Sequence, residues 1–263
     1  MIEAATALQP LRDHPAETAI FTDVDGTIAP IVERPEDAAV LPEAAALLVE
    51  LAALYDLVAC VSGRRAADAR RLVGIGSIIY VGNHGLERLL PGETEPRSNP
   101  SLDGHETDAA KFAATWNAAE LESLGLRVED KGAIQALHWR GSPDEEDAEA
   151  LAHEIAADAE WRGLFAGWGR KVLEVRPPVR VGKGGALTQL VHEHGIRRAL
   201  YAGDDRTDLD GFAALHRLRE AGQLDSAVCI GVLSAEGPGQ LAADSDVTVD
   251  GPQGLTELLQ ALV

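Results

Sequence analysis

The chain has 263 residues, enough for one large α/β domain or for a core domain with a smaller insert. Its 43 acidic and 23 basic residues give a formal net charge of -20, which argues against non-specific binding to nucleic acid or to an anionic membrane surface. The sequence shows no basic and apolar leader pattern and no apolar run long enough to span a bilayer. Cys60 and Cys229 lie in apolar strand-like runs, so we interpret them as buried thiols rather than as a disulfide. We therefore expect a cytoplasmic protein that binds neither nucleic acid nor membrane.

The first part of the chain alternates between strand-like and helical segments. An apolar run ends at Thr22, a helix with an apolar stripe begins at Pro42, and further short apolar runs occupy residues 57–61 and 78–81. Each run ends in a polar turn that leads into the next segment. This pattern is typical of a parallel sheet whose functional site lies at the carboxyl ends of the strands.

The pattern changes in the middle of the chain. We predict a helix over residues 106–124, strands over 126–130 and 133–140, a second helix over 143–159 and a third strand over 170–176. Antiparallel strands packed on two helices form a small α+β module. Alternation of strands and helices resumes after Pro177-Pro178. The sequence thus predicts an α/β core with a mainly parallel sheet over residues 1–103 and 177–263, interrupted by an α+β cap domain over residues 104–176.

Two carboxylates follow the first buried strand, in Asp23-Val24-Asp25-Gly26-Thr27. Because strand side chains alternate, Asp23 and Asp25 can project together beyond the end of the strand, where Gly26 allows a sharp turn. An ordinary Asp-Gly turn explains this pentapeptide equally well when it is taken alone. An EF-hand calcium loop does not, because its sixth and twelfth positions would hold Ile28 and Arg34 instead of Gly and Glu.

Three further turns between strands and helices carry residue types suited to phosphate chemistry. Ser62-Gly63-Arg64 offers a hydroxyl and main-chain amides at a helix amino terminus, although a helix N-cap explains Ser62 taken alone. Lys183 lies in a glycine-rich turn that does not match a Walker loop, and a solvated lysine is the simpler interpretation of that turn alone. Asp204, Asp205 and Asp208 follow a strand, and helix capping explains one or two of these three acids.

The four sites together are harder to explain as independent turns and caps. They would combine a nucleophile, an acid, a hydroxyl, a lysine and a second group of acids, each at a turn between a strand and a helix. If Asp23, Asp25 and Asp204 converge, their charges repel one another unless a cation lies between them. Ligands that are all oxygen favour Mg²⁺. The sequence therefore predicts a magnesium-dependent site for phosphoryl chemistry.

The order DxDGT, SGR, KG and GDDxTD resembles the haloacid dehalogenase superfamily of aspartate-dependent phosphatases, which implies a Rossmann-like core. GNHG at residues 82–85, VEDKG at 128–132, HWR at 138–140 and GRKVLEVRPP at 169–178 are similar to trehalose 6-phosphate phosphatases, over nearly the whole chain. In that family a mobile cap supplies the residues that recognise the sugar. Family members often have Glu after the last Asp of GDDxTD, whereas this chain has Leu209 and then Asp210, a difference from which we expect little consequence.

The resemblance implies a role for each matching residue. Asp23 is expected to attack phosphorus and form an aspartyl-phosphate, and Asp25 is expected to act as the acid and then as the base. The expected ligands of Mg²⁺ are Asp23, the main-chain carbonyl of Asp25 and Asp204, with Asp205 or Asp208 holding its waters. The expected phosphate-binding residues are Ser62, Gly63 and Lys183. The expected substrate-binding residues are Arg64, Asn83, His84, Glu129, Lys131, Arg140 and Glu174.

The activity implied by the resemblance is hydrolysis of a small-molecule sugar phosphate, trehalose 6-phosphate, to trehalose and phosphate. Another sugar-phosphate phosphatase or a phosphosugar mutase would have the same core with a different cap. Without the resemblance, the solvated face of an antiparallel sheet is the better interpretation of Glu129, Lys131 and Glu174. A phospho-accepting signalling receiver also uses Mg²⁺, an Asp, a hydroxyl and a Lys, but it needs neither Asp25 nor a sugar-binding insert.

Overall fold

The computed structural model describes residues 4–32, 34, 37–235 and 237–263. In chain order, the strands are β1 (Thr18–Thr22), β2 (Leu57–Val61), β3 (Ile79–Gly82), β4 (Glu87–Leu89), β5 (Arg97–Ser98), β6 (Arg127–Asp130), β7 (Gln135–His138), β8 (Phe165–Gly169), β9 (Val172–Arg176), β10 (Arg198–Gly203), β11 (Ser226–Leu233) and β12 (Val247–Asp250). The helices are α1 (Ala4–Asp13), α2 (Pro42–Leu54), α3 (Ala66–Val73), α4 (Asp108–Ala113), α5 (Ala118–Ser123), α6 (Glu145–Trp161), α7 (Lys183–Glu193), α8 (Arg206–Glu220), α9 (Leu241–Asp244) and α10 (Gly251–Leu259). The chain forms two compact units, one ending at Arg97 and resuming at Val181, the other spanning Ser98–Arg180.

The first unit is built on an eight-stranded sheet in the order β12-β11-β10-β1-β2-β3-β4-β5. The strands from β12 to β3 pair in parallel, and β4 pairs with β3 in the antiparallel direction. Every residue of β1, β2 and β3 is buried. Strands buried on both faces read as continuous apolar runs, as they do here. The structure confirms the predicted α/β class with a mainly parallel sheet.

Helices cover both faces of this sheet. On one face, Ile20, Val58 and Leu200 pack in a cluster to which α1, α2 and α10 contribute. On the other face, Phe21, Val61 and Tyr201 pack in a cluster to which α7 and α8 contribute. Because consecutive strand residues point to opposite faces, these strands supply both clusters. The sheet is thereby fixed between two apolar layers.

The register of the parallel strands brings their carboxyl ends to one edge of the sheet. Thr22 of β1 lies opposite both Ala202 of β10 and Cys60 of β2, and Val61 lies opposite Val81 of β3. The segments that follow these strands therefore start close to one another in space. This edge of the sheet carries the polar motifs picked out from the sequence.

The second unit is a four-stranded antiparallel sheet in the order β6-β7-β9-β8, packed on α6. Leu137, Leu173 and Val175 on one face of the sheet share an apolar cluster with Ala148 and Ala152 of α6. The opposite face of the sheet therefore remains for polar side chains.

In the second unit, one predicted helix was wrong and one strand was missed. The helix predicted over residues 106–124 is two short helices, α4 and α5, and the side chain of Asn117 accepts a hydrogen bond from the main-chain N–H of Glu120 at the start of α5. The strand predicted over residues 170–176 is present as β9, but the prediction missed β8, which forms a hairpin with β9 through a turn where Lys171 has a φ of 58°. β8 contains Gly167 and Gly169, which weaken the signal for a strand.

Both cysteines are buried and free, as predicted. Among the described residues, no helix is both long enough and apolar enough to cross a membrane.

The packing of α8 on the sheet depends on the absence of a side chain at Gly211. A Cβ atom at this position would lie 2.3 Å from Cε1 of Tyr201 and 3.1 Å from Cδ1 of Leu187. We expect Gly211→Ala to lower the free energy of unfolding by about 1–3 kcal/mol, because the core must shift to admit the methyl group. Urea unfolding followed by circular dichroism measures this change.

Gly185→Ala is the matched control, because Gly185 lies in α7 with open space around its Cα. Alanine favours a helix over glycine by about 0.8–1 kcal/mol, so we expect this variant to be at least as stable as the parent protein. Equal unfolding midpoints for Gly211→Ala and the parent protein would contradict the close packing of α8.

Candidate active site

A chain of buried charges joins Asp23, Lys183 and Asp208. Asp23 follows β1, and its main-chain N–H donates to the carbonyl of Ala202 at 2.9 Å, which continues the pairing of β1 with β10. Its Oδ2 lies 3.1 Å from Nζ of Lys183, the first residue of α7. The same Nζ donates to Oδ1 of Asp208 at 2.7 Å. The ends of β1, α7 and α8 are therefore tied together by one lysine.

Asp208 also organises the turn after β10. Its Oδ2 accepts the main-chain N–H groups of Asp204 at 3.0 Å and Asp205 at 2.9 Å, and its Oδ1 accepts the hydroxyl of Tyr201 as well as Lys183. A carboxylate has about four acceptor sites, so these bonds use all of them. This geometry makes Asp208 an organiser of the turn, and its expected role in holding the waters of a metal stays a prediction.

Asp204 lies beside the turn that follows Asp23. Its Oδ1 accepts the hydroxyl of Thr27 at 3.1 Å, and the residue is 1% exposed. Gly26 has a φ of 81°, and a Cβ atom there would lie 1.9 Å from Oδ2 of Asp204. Glycine is needed at position 26 for both its backbone conformation and this close approach. Gly26 and Thr27 of the DxDGT motif thus help to place the carboxylate of Asp204, which is distant in the sequence.

Burial and neighbouring charges shift the ionisation of this group. Burial raises the pKa of the Asp23 carboxyl well above its ordinary value; Lys183 opposes the shift, whereas Asp208, Asp204 and Asp25 add to it. Burial alone would lower the pKa of Lys183, but the charges of Asp208 and Asp23 outweigh burial and raise it. Lys183 is therefore a permanent cation at neutral pH.

The donor set fits a hard divalent cation. Carboxylate oxygens of Asp23, Asp204 and Asp208 lie within 4.8 Å of one another, and all three residues are buried. Lys183 supplies one positive charge against these three carboxylates, so the group retains negative charge. Oxygen ligands and uncompensated negative charge are the conditions that Mg²⁺ requires.

Asp25 and Arg64 form a bidentate ion pair. Nε of Arg64 donates to Oδ2 of Asp25 at 2.6 Å, and Nη2 donates to Oδ1 at 2.7 Å. The main-chain N–H of Arg64 also donates to the hydroxyl oxygen of Ser62 at 3.1 Å. Arg64, which we expect to bind substrate, is thus paired with Asp25, which we expect to transfer protons.

The GNHG motif supports the SGR turn from the neighbouring strand. The main-chain N–H of Asn83 donates to the carbonyl of Arg64 at 2.7 Å, and that of His84 donates to the carbonyl of Ser62 at 3.0 Å. The His84 ring lies against Gly63, where a Cβ atom would be 2.7 Å from Cε1. Asn83 and His84 have φ values of 49° and 56°, a left-handed conformation that costs energy for non-glycine residues.

The second unit brings three of its predicted site residues together. Glu129, Ala136 and Glu174 lie side by side on β6, β7 and β9, on the sheet face opposite α6. Nζ of Lys131, just after β6, lies 2.8 Å from Oε1 of Glu174 and 3.9 Å from Oε2 of Glu129. Lys131 and Glu174 are 8% and 6% exposed, so they are not part of a solvated sheet face.

Two further residues complete this cluster. Nε2 of His138 lies 2.8 Å from Oε2 of Glu129, and Nε of Arg176 donates to Oε2 of Glu174 at 3.1 Å. The sequence analysis assigned no role to Arg176, although it is the second Arg of the GRKVLEVRPP motif. Arg140 lies two residues beyond His138 and is half-buried.

The charges of this cluster stabilise one another. Burial alone would raise the pKa of Glu129, but His138 and Lys131 outweigh burial and lower it. Burial alone would likewise lower the pKa of Lys131, but Glu174 and Glu129 raise it. Glu129 and Lys131 are thus ionised at neutral pH, and they offer charged acceptors and donors on one surface.

A separate group of potential metal ligands has a simpler explanation. The side chains of His216, Cys229 and Asp246 approach one another within 4.8 Å. Oδ2 of Asp246 accepts the main-chain N–H of Cys229 at 2.8 Å and lies 3.1 Å from Nε2 of His216. Hydrogen bonding between β11, α8 and the residue before β12 accounts for this arrangement.

Comparison with known proteins places the chain in a family. The family model described as "Trehalose-phosphatase" matches residues 21–253. The chain is 30% identical to the probable trehalose-phosphate phosphatase D of Arabidopsis thaliana over 94% of this chain and 67% of that one. It is 34% identical to the trehalose-phosphate phosphatase of Mycobacterium marinum over 82% of this chain and 57% of that one.

The match to longer proteins is partial. The chain is 35% identical to an uncharacterized glycosyl hydrolase of Mycobacterium tuberculosis over 75% of this chain, which spans only 15% of that protein.

The fold agrees with the family assignment. The C-terminal domain of the Candida albicans trehalose-6-phosphate phosphatase superposes with a TM-score of 0.84 at 21% identity, with 99% of this chain and 97% of that chain covered. On the strength of the family match over residues 21–253 and the relatives at 30% identity or more, the chain belongs to the trehalose-phosphatase family.

Proposed function

We propose that the chain hydrolyses trehalose 6-phosphate to trehalose and inorganic phosphate through an aspartyl-phosphate. The observation that carries this proposal is the buried Asp23–Lys183 pair, 3.1 Å apart and beside Asp204, in a chain of the trehalose-phosphatase family. A carboxylate held next to a cation and a group of acids suits attack on a phosphate ester.

Asp23 is the proposed nucleophile. Its carboxylate attacks phosphorus, and the bond from phosphorus to the sugar oxygen breaks. The spread negative charge on the transferring phosphoryl group needs donors on several sides. Lys183, the hydroxyl of Ser62 and the main-chain N–H of Gly63 are the proposed donors. The contact between His84 and Gly63 keeps the main-chain N–H of Gly63 in place.

Asp23, the main-chain carbonyl of Asp25 and Asp204 would hold Mg²⁺, with Asp205 or Asp208 holding its waters. When bound, the ion supplies positive charge that offsets the carboxylates and orients the phosphate. Thr27 and Gly26 set the position of Asp204 for this role. The four bonds that Asp208 accepts within the protein favour Asp205 as the residue that holds a water.

Asp25 is the proposed acid and base. It donates a proton to the departing sugar oxygen and later accepts one from the water that hydrolyses the aspartyl-phosphate. Arg64 donates one hydrogen bond to each oxygen of Asp25, and each oxygen keeps a second lone pair for the transferred proton. The guanidinium group binds phosphate as readily as carboxylate, so an arriving phosphate ester can draw Arg64 away.

The polar cluster of the second unit is the proposed sugar site. Glu129, Lys131 and Glu174 present charged acceptors and a donor, the groups that bind the hydroxyls of a sugar. A site built to pair hydroxyls rejects ligands that lack them, because its own polar groups are then left unpaired. Arg140, Asn83 and His84 are further proposed contacts to the substrate.

Phosphate release across a panel of sugar phosphates tests the proposed function. We expect trehalose 6-phosphate to be the best substrate with Mg²⁺, and we expect a chelator to abolish turnover. Asp23→Asn is the control for catalysis by this site, since it keeps the shape of the side chain and removes the nucleophile. Equal rates on all sugar phosphates would contradict the substrate assignment, and turnover by Asp23→Asn would contradict the role of Asp23.

The leaving group distinguishes the role of Asp25. Asp25→Asn should lower kcat on trehalose 6-phosphate about 10²–10⁴-fold, because the sugar oxygen departs only with a proton. An aryl phosphate has a good leaving group, so the first step should suffer much less with it. The burst of released trehalose or phenol measures the first step, because phosphate stays on Asp23 until the second step. The acid role is wrong if the burst rates with the two substrates fall by the same factor.

Glu174→Gln tests the sugar site with a nearly isosteric change. We expect kcat/KM for trehalose 6-phosphate to fall about 10–100-fold, since a hydrogen bond to a charged group contributes about 1.5–3 kcal/mol. The kcat/KM for a small aryl phosphate should change less than about threefold, because this substrate has no sugar to bind. A parallel loss on both substrates would instead indicate damage to the fold, and the unfolding midpoint of the variant checks that outcome.

A further inference from the structure

Asp210 reaches from α8 to the first turn of α7. Its Oδ2 accepts the main-chain N–H of Gly184 at 2.8 Å. The first N–H groups of a helix have no partner within the helix and need an acceptor from elsewhere. Gly182 at the N-cap of α7 has no side chain to supply one. Asp210 therefore caps α7 from the neighbouring helix.

The two helices fit closely at this point. A Cβ atom on Gly182 would lie 2.6 Å from Oδ2 of Asp210, and one on Gly184 would lie 2.5 Å from the carbonyl oxygen of Asp210. Real side chains do not tolerate such distances, so both glycines are needed for the contact. The glycines on either side of Lys183 thus allow α8 to hold the start of α7.

Lys183 is consequently fixed at two places by one turn of α8. Asp208 binds its Nζ at 2.7 Å, and Asp210 binds the peptide N–H of the next residue, Gly184. A lysine side chain is long and flexible, so its ammonium group is placed accurately only if its main chain is also fixed.

We propose that Asp210 is a positioning residue for Lys183. By capping α7, it keeps the ammonium group where it meets Asp23 and the transferring phosphoryl group. This inference rests on the proposed function. It also assigns a role to Asp210, which directly follows Leu209, the position where the chain differs from the family and where we expected little consequence.

Three variants test the inference in the full chain. Asp210→Ala removes the cap, whereas Asp210→Asn keeps an acceptor oxygen, and Asn caps helices about as well as Asp. Glu220→Ala is the matched control, since it removes an exposed acid from the other end of α8. For each variant, phosphate release, inhibition by inorganic phosphate, and hydrogen exchange of the segment 183–187 are measured.

We expect Asp210→Ala to lower kcat/KM and to weaken inhibition by inorganic phosphate about 3–30-fold, and to speed exchange of residues 183–187 by a similar factor. Asp210→Asn should stay within about threefold of the parent protein in all three measurements. Glu220→Ala should match the parent protein. The urea midpoint of Asp210→Ala identifies general unfolding, which would accelerate exchange throughout the core instead of in this segment alone.

Other results overturn the inference. Unchanged exchange in Asp210→Ala would show that the carboxylate does not cap α7. Faster exchange with unchanged turnover and unchanged phosphate inhibition would show a cap that does not position Lys183. An Asp210→Asn variant as impaired as Asp210→Ala would assign the effect to the charge. Inactivity of the parent protein on every sugar phosphate would overturn the proposed function, while exchange would still decide whether the cap exists.

Discussion

The core of this protein depends on the buried ion chain from Asp23 through Lys183 to Asp208. Charges removed from water are costly unless they are paired, and removal of one partner leaves another unpaired at a cost of about 3–5 kcal/mol. Asp23 follows β1, Lys183 begins α7 and Asp208 lies in the first turn of α8, so the pairing holds three elements at one edge of the sheet. The groups proposed for catalysis are thus also the groups that join these elements.

This constraint separates the roles of the acids. Asp208 is fully used by hydrogen bonds within the protein, and Asp25 is paired with Arg64. Asp23 shares Lys183 with Asp208, and Asp204 accepts the hydroxyl of Thr27, so three buried acids lie close to one another around a single lysine. A divalent cation there would lower the energy of the group, so metal binding and charge balance are two aspects of one requirement.

In the second unit, basic side chains pair with the buried acids. Glu174 lies between Lys131 and Arg176, and Glu129 lies between Lys131 and His138. Burial raises the pKa of Glu129, but His138 and Lys131 outweigh it and lower that pKa, whereas Glu174 has two basic partners on a largely buried surface. A compensated acid still has lone pairs to offer, so such a surface suits neutral ligands with many hydroxyl groups.

Local patterns in the sequence were enough to predict the α/β class, the strand ends and the motifs, because apolar periodicity and turn residues act over short distances. Only the tertiary structure showed that Arg64 lies on Asp25, that Asp208 is saturated and that Asp210 caps α7. These contacts join residues 39, 25 and 26 positions apart, and periodicity does not state which distant side chain a group will meet. The tertiary structure also revealed β8, in which glycines weaken the strand pattern. It likewise revealed the break between α4 and α5, where Asn117 interrupts the helical pattern. The sequence by itself therefore determined which chemical groups stand at the ends of the strands, whereas packing of distant segments decided how those groups pair, since pairing depends on three-dimensional distance.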